Sequence, residues 1–200
     1  MERDRETTRA KLMDAVERIA IRDGFDACGV NAIAQEAGVD KVLIYRYFGG
    51  VDGLLSSVIA ERGAWPKAGS LGDGAAAGSA LSSALIDQAR DIRARPLAQH
   101  AVAWEATGHA DHDITRPISE QREAQLTALA AALRARHAVP ARFDVEAVGA
   151  LVTAGLTMLA ARTDHGVPFF GLDVARDADW RRIEKAAGTI LRALLDPSDA

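Results

Sequence analysis

A single cysteine, Cys28, stands among 200 residues, so no disulfide can form within the chain and a reducing compartment suits it. A buried structural thiol and a redox sensor are the two readings of a lone cysteine, and the buried thiol is the simpler. A chain of this length buries enough apolar surface to fold without covalent staples. Its N-terminal stretch, Met1 to Arg9, is charged and lacks the apolar centre of a signal peptide. Long hydrophobic runs are missing too: Arg, Asp, Glu or His interrupts every stretch before the roughly 20 apolar residues of a membrane span. The expectation is a soluble, cytoplasmic protein with no membrane partner. Excess positive charge is also lacking. The net charge is −4, and over residues 1–50 basic side chains do not outnumber acidic ones. Affinity for nucleic acid would have to come from local placement of charge. No nucleophile elbow, phosphate-binding loop or cofactor fingerprint occurs, so the chain is read as a non-enzyme without cofactor or metal.

What is present is helical periodicity. Leu12, Val16 and Ile19 recur at spacings of four and three, as do Leu81, Leu85, Ala89 and Ile92, and Leu126, Leu129 and Leu133. Val145, Val148, Val152, Leu156 and Leu159 form another stripe. Trp180, Ile183, Ala187, Ile190 and Leu194 step close to a heptad seam. No convincing alternating β run occurs. Gly24, Gly49-Gly50, the Gly/Ala/Ser-rich stretch 69–78, Pro96, 109–117, Pro140 and 165–177 supply the breaks. An all-α chain of about nine helices is predicted, over roughly 5–22, 30–37, 41–47, 51–65, 77–94, 97–107, 117–137, 143–164 and 177–195.

Residues 30–48 carry the clearest pattern. Val30, Ile33, Ala34 and Ala37 give a short helix one apolar face, Gly38 can take the left-handed backbone of a tight turn, and Val39 fills the space beneath it. Asp40 is placed to cap the next helix. On that helix Ile44 and Phe48 face the core, leaving Lys41, Val42, Leu43, Tyr45, Arg46 and Tyr47 outside. Two short helices joined by a glycine turn make a helix-turn-helix. Lys41 and Arg46 can meet phosphates or guanine edges, and the tyrosines offer hydroxyls to phosphates and rings to thymine methyls. A short amphipathic helix with a merely solvated polar face is the plainer alternative.

The stretch from about Arg5 to Leu55 resembles the DNA-binding domain of the tetracycline-repressor (TetR) family of bacterial regulators. The matching words are Ala15-Val16-Glu17, Gly24-Phe25-Asp26-Ala27, Ile33-Ala34-Gln35-Glu36-Ala37-Gly38-Val39, Ile44-Tyr45-Arg46-Tyr47-Phe48-Gly49 and Leu54-Leu55. The resemblance implies a homodimeric repressor: a head over 1–50 that binds double-stranded operator DNA and a body over 51–200 that binds a small-molecule effector and dimerises. It places DNA contacts at Asn31, Lys41, Val42, Leu43, Tyr45, Arg46 and Tyr47. Gly29 stands where the family often has Ser or Thr, and Val51 where it usually has Lys. Each change removes a phosphate contact that a basic N-terminal arm, Arg3, Arg5, Arg9 and Lys11, could replace.

For the body, a pocket is expected between helices 77–94, 97–107, 117–137 and 143–164. His100, Trp104, Thr107 and Met158 are its candidate wall, with Phe169 and Phe170 at an entrance. Small residues Gly149, Ala150, Ala154 and Gly155 and the seam on 177–195 point to a four-helix dimer interface through Val148, Val152, Leu156, Trp180, Ile183, Ala187, Ile190 and Leu194. Packing of both stripes within one protomer is the competing arrangement. His109, Asp111, His112 and Asp113 could hold a metal, which makes a metal-dependent hydrolytic enzyme one rival reading, although a solvated polar loop accounts for them more simply. A helical adaptor that no longer binds DNA is another, motivated by the acidic balance, Gly29 and Val51.

Overall fold

The computed structural model describes residues 2–62, 71–72, 75–106, 115–162 and 167–196. Nine α-helices run through them: α1 (Glu2–Asp23), α2 (Val30–Ala37), α3 (Val42–Phe48), α4 (Val51–Arg62), α5 (Ala77–Ala94), α6 (Pro96–Ala106), α7 (Thr115–Arg136), α8 (Val145–Ala161) and α9 (Asp177–Leu195). The all-α expectation holds, and one element is additional: a 3-10 turn over Phe25–Ala27. Among the described residues no single helix is long and apolar enough to cross a membrane.

The chain forms two compact units. One comprises Met1–Gly63 and Arg95–Glu120, the other Ala64–Ala94 and Gln121–Ala200. Position 50 is thus a motif boundary and not the edge of a compact body: α4 and α6 belong with the N-terminal helices.

In the first unit α1 buries Leu12, Ala15, Val16, Ile19 and Ala20, the i, i+3, i+4 stripe its sequence encodes. It ends where Gly24 takes φ 86 and donates its N–H to the Ala20 carbonyl at 3.1 Å. Ile33, Ile44, Leu54 and Val58 bury their side chains completely in the same unit. Two ionic ties brace α1 from outside. Arg18 donates to the Glu36 carboxylate at 2.7 Å, and Arg62 donates to Asp14 at 2.7 Å and also to Glu17. α6 closes this unit. Trp104 stacks on Phe25 with ring centroids 5.2 Å apart, and its indole N–H donates to Asp26 at 3.1 Å.

In the second unit α5 packs against α8 and α9. Leu81, Leu85, Ala89 and Ile92 meet a core completed by Leu156, Ala160, Ala187, Leu191 and Leu195. Gly78 is obligatory there: a β-carbon on it would lie 2.7 Å from the Arg192 Cα. Its N–H also donates to Asp196 at 2.8 Å. Glu184, buried on α9, accepts from the Arg90 Nε at 2.7 Å and Nη2 at 2.9 Å, which satisfies its charge.

Candidate functional site

The helix-turn-helix is built by its glycines and caps. α2 stops at Gly38, whose φ of 65 lets its own N–H reach the Gln35 carbonyl while the Val39 N–H reaches that of Ala34. Asp40 does not sit at the N-cap itself. Its carboxylate accepts the Val42 N–H at 2.8 Å, and its backbone carbonyl accepts that of Leu43 at 3.0 Å. The side chain closes an Asx turn that launches α3. α3 ends at Gly49, again left-handed at φ 79. α4 then returns so closely that a β-carbon on Gly53 would fall 1.9 Å from the Phe48 carbonyl oxygen. α3 is therefore gripped at both ends and pinned through its middle by the fully buried Ile44.

That grip determines what faces outward. Asn31, Lys41, Val42, Tyr45 and Arg46 are exposed, Val42 at 61 % and Tyr45 at 56 %, while Leu43 and Tyr47 are half-buried. Phe48 departs from its expected place in the core. It is half-buried, with the Arg9 guanidinium 4.7 Å from its ring centroid. Nor is the basic N-terminal segment a free arm, since α1 is helical from Glu2. Its first turns set Arg5 5.7 Å from the Tyr47 ring, while Arg9 also pairs with Glu61 at 3.3 Å. Two cationic side chains of α1, Arg5 and Arg9, are thereby brought beside α3, a placement that sequence spacing could not reveal. Cys28 is buried beneath this head. Burial, reinforced by the nearby Asp26 and Asp23 carboxylates, pushes its thiol up to about 11.

Trp104 is buried against Phe25, and half-buried His100 lies on the same α6, both in the first unit. Met158 and Phe169 are exposed in the second. Thr107 and the cluster His109, Asp111, His112 and Asp113 lie outside the described residues. The second unit instead holds a cleft of about 260 Å³ between α5, α7 and α8. Leu81, Leu85, Leu126, Leu129 and Val145 give it apolar walls, and Gly149 and Ala150 leave its floor shallow. The missing signal was depth: Leu126 on α7 and Val145 on α8 read as ordinary core positions, and only Gly149 and Ala150 on α8 open a space beside them.

The apolar seam on α9 divides. Trp180 and Ala187 turn into the core and Ile183 is half-buried, whereas Ile190 and Leu194 are exposed. On α8 Leu156 is buried and Val148 and Val152 are half-buried, while Leu151, at 76 %, and Met158 are exposed. Among the described residues these four are the large apolar side chains that α8 and α9 leave to solvent.

Comparison with known proteins gives the following. Residues 12–58 match the family described as bacterial regulatory proteins, tetR family. No curated protein matches the chain. Among solved structures the chain is similar to a TetR transcriptional regulator from Agrobacterium tumefaciens, at 19 % identity and a TM-score of 0.66 over 94 % of both chains. It is similar to a TetR-like regulator from Rhodococcus sp. RHA1, at 20 % identity and 0.61 over 95 % of both. It is also similar to GusR of Salmonella enterica, at 15 % identity and 0.61 over 95 % of this chain and 96 % of the other. At these identities the likeness is one of fold, and it spans almost the whole chain.

Proposed function

We infer that the chain belongs to the TetR family of bacterial transcriptional regulators and is a cytoplasmic repressor that holds a two-fold operator through α3 and leaves it when a mainly apolar small molecule binds. The observation that carries the reading is the division of α3. Ile44 anchors it, and Lys41, Val42, Tyr45 and Arg46 are exposed on a segment with two cations and no carboxylate. Arg46 and Lys41 supply bidentate or point-charge contacts to guanine edges and phosphates, Tyr45 supplies a hydroxyl, and Val42 offers an apolar contact for a thymine methyl. Arg5 beside Tyr47 adds a phosphate contact where Gly29 and Val51 remove two.

Two heads act together when α8 and α9 pair with those of a second copy through Leu151, Met158, Ile190 and Leu194. The effector enters the cleft between α5, α7 and α8. It releases DNA only insofar as it binds the DNA-incompetent spacing of the heads more tightly than the competent one. The test is operator binding by an Arg46→Ala, Tyr45→Ala double variant, using DNA that flanks the gene. Loss of affinity with an unchanged thermal melt is expected; wild-type affinity and salt dependence would remove α3 as the reader.

A further inference from the structure

The cleft of the second unit has a chemical bias. On α7 Glu123, Leu126, Thr127 and Ala130 lie on one helical face, and on α8 Glu146, Gly149, Ala150 and Thr153 do the same. The polar groups lining it are two carboxylates and two threonine hydroxyls, and no Lys or Arg is among the described residues that line it. The two carboxylates differ. Glu146 is neutralised by Arg134, which donates to both of its oxygens at 2.5 Å and holds its acidity at about 2. Glu123 receives only the Thr127 hydroxyl, at 3.2 Å, and pairs with no cation among the described residues. Deeper in, Thr153 is 9 % exposed and its hydroxyl makes no hydrogen bond to any described residue. A β-carbon on Gly149 would meet nothing within 4 Å, so the space beside it is open.

We propose that this cleft takes an organic cation, an apolar body set against Leu81, Leu85 and Leu126 with one ammonium group beside Glu123. The inference rests on the reading of the cleft as the effector site and adds the ligand's class. Size follows from volume: a cavity of about 150 Å³ holds benzene, so one of this volume holds roughly ten to twelve non-hydrogen atoms. Charge follows from the unpaired carboxylate. Glu123 is exposed at the rim of the cleft, so a neutral guest gains nothing from its charge and an anion is repelled by it, whereas a cation bound against the apolar wall is attracted to it. The Thr153 hydroxyl is left to a polar atom or a water carried in with the guest.

The test uses the full chain and two probes of one shape, benzyltrimethylammonium and neopentylbenzene, which differ in nitrogen against carbon at a single atom. Hydrophobicity alone favours the neutral probe. Calorimetric titration should show the cation binding at least about tenfold more tightly, and Glu123→Gln, a surface change that leaves folding intact, should reduce that preference to about twofold or less. Ala130→Phe, which fills the cleft, should abolish both. Equal or tighter binding of neopentylbenzene, or a preference that survives Glu123→Gln, overturns the proposal, as does binding of neither. Operator release read in parallel separates the two levels. Release by both probes without preference overturns the cation and keeps the effector site. Glu123-dependent binding with unchanged operator affinity keeps the cation site and overturns its effector role.

Discussion

Ile44 and Arg46 sit two residues apart on α3 and answer to different forces. Ile44 is fully buried. Ile44→Ala should therefore cost about 2–5 kcal/mol in urea denaturation, through lost transfer energy and the cavity left behind. Arg46 is exposed, and its guanidinium lies over the Tyr47 ring at 6.0 Å from the centroid. Arg46→Ala should leave the melt alone and weaken DNA. If the guanidinium reads a guanine, the loss is about 1–3 kcal/mol and confined to one position per half-site; if it meets a phosphate, binding falls evenly and the salt slope shrinks by about one. Cys28 gives the pH-dependent case. Its thiol titrates at about 11 in the fold against an ordinary 9.0. Unfolded chains therefore lose this proton first, and the contribution to stability is complete below pH 9 and disappears as pH rises towards 11. Cys28→Ala should flatten that part of the stability profile, and a thiol reagent at neutral pH should label Cys28 only after denaturant is added.

At the scale of elements, the junctions matter more than the helices. α3 has seven residues, too few to persist alone, and the Gly53 approach to Phe48 holds it in place. Gly53→Ala should force α3 and α4 apart, costing about 1–3 kcal/mol and more DNA affinity than its distance from the exposed residues suggests. Circular dichroism melts and gel shifts on the same sample would separate the two losses; an unchanged melt would mean that the junction gives way freely. α6 behaves as part of the head. Trp104 on Phe25 and Asp26, and Arg95 donating to the Arg62 carbonyl at 2.9 Å, tie it to the elements around α1 and α4.

For the whole molecule, the expected state is a dimer of twice the 21.2 kDa chain. Light scattering should give that mass, and a Leu151→Glu, Ile190→Glu variant should run as a monomer, because both side chains are exposed and a charge there costs the isolated chain little. A monomeric wild type at micromolar concentration would remove α8 and α9 as the interface. Two-fold symmetry then fixes the operator: a near-palindrome with half-sites separated by about 34–36 Å or a multiple of it.

Much of this was written in local sequence. Periodicity placed α2, α5 and α9 between their breaks at 30–37, 77–94 and 177–195, because an amphipathic helix declares itself within a few turns and Gly or Pro marks its ends. The helix-turn-helix was equally legible, since Gly38 and Asp40 act on their own neighbours. Other properties were not local. The heptad-like seam of α9 could not say that Trp180 and Ala187 would turn inward while Ile190 and Leu194 stayed out, because a helix face has meaning only against what it packs on. His100 and Trp104 stand four residues apart on α6, but spacing could not say that Trp104 would be buried against Phe25. The cleft between α5, α7 and α8 exists because small side chains from one helix meet large ones from two others, and only the tertiary structure brings those distant stretches together.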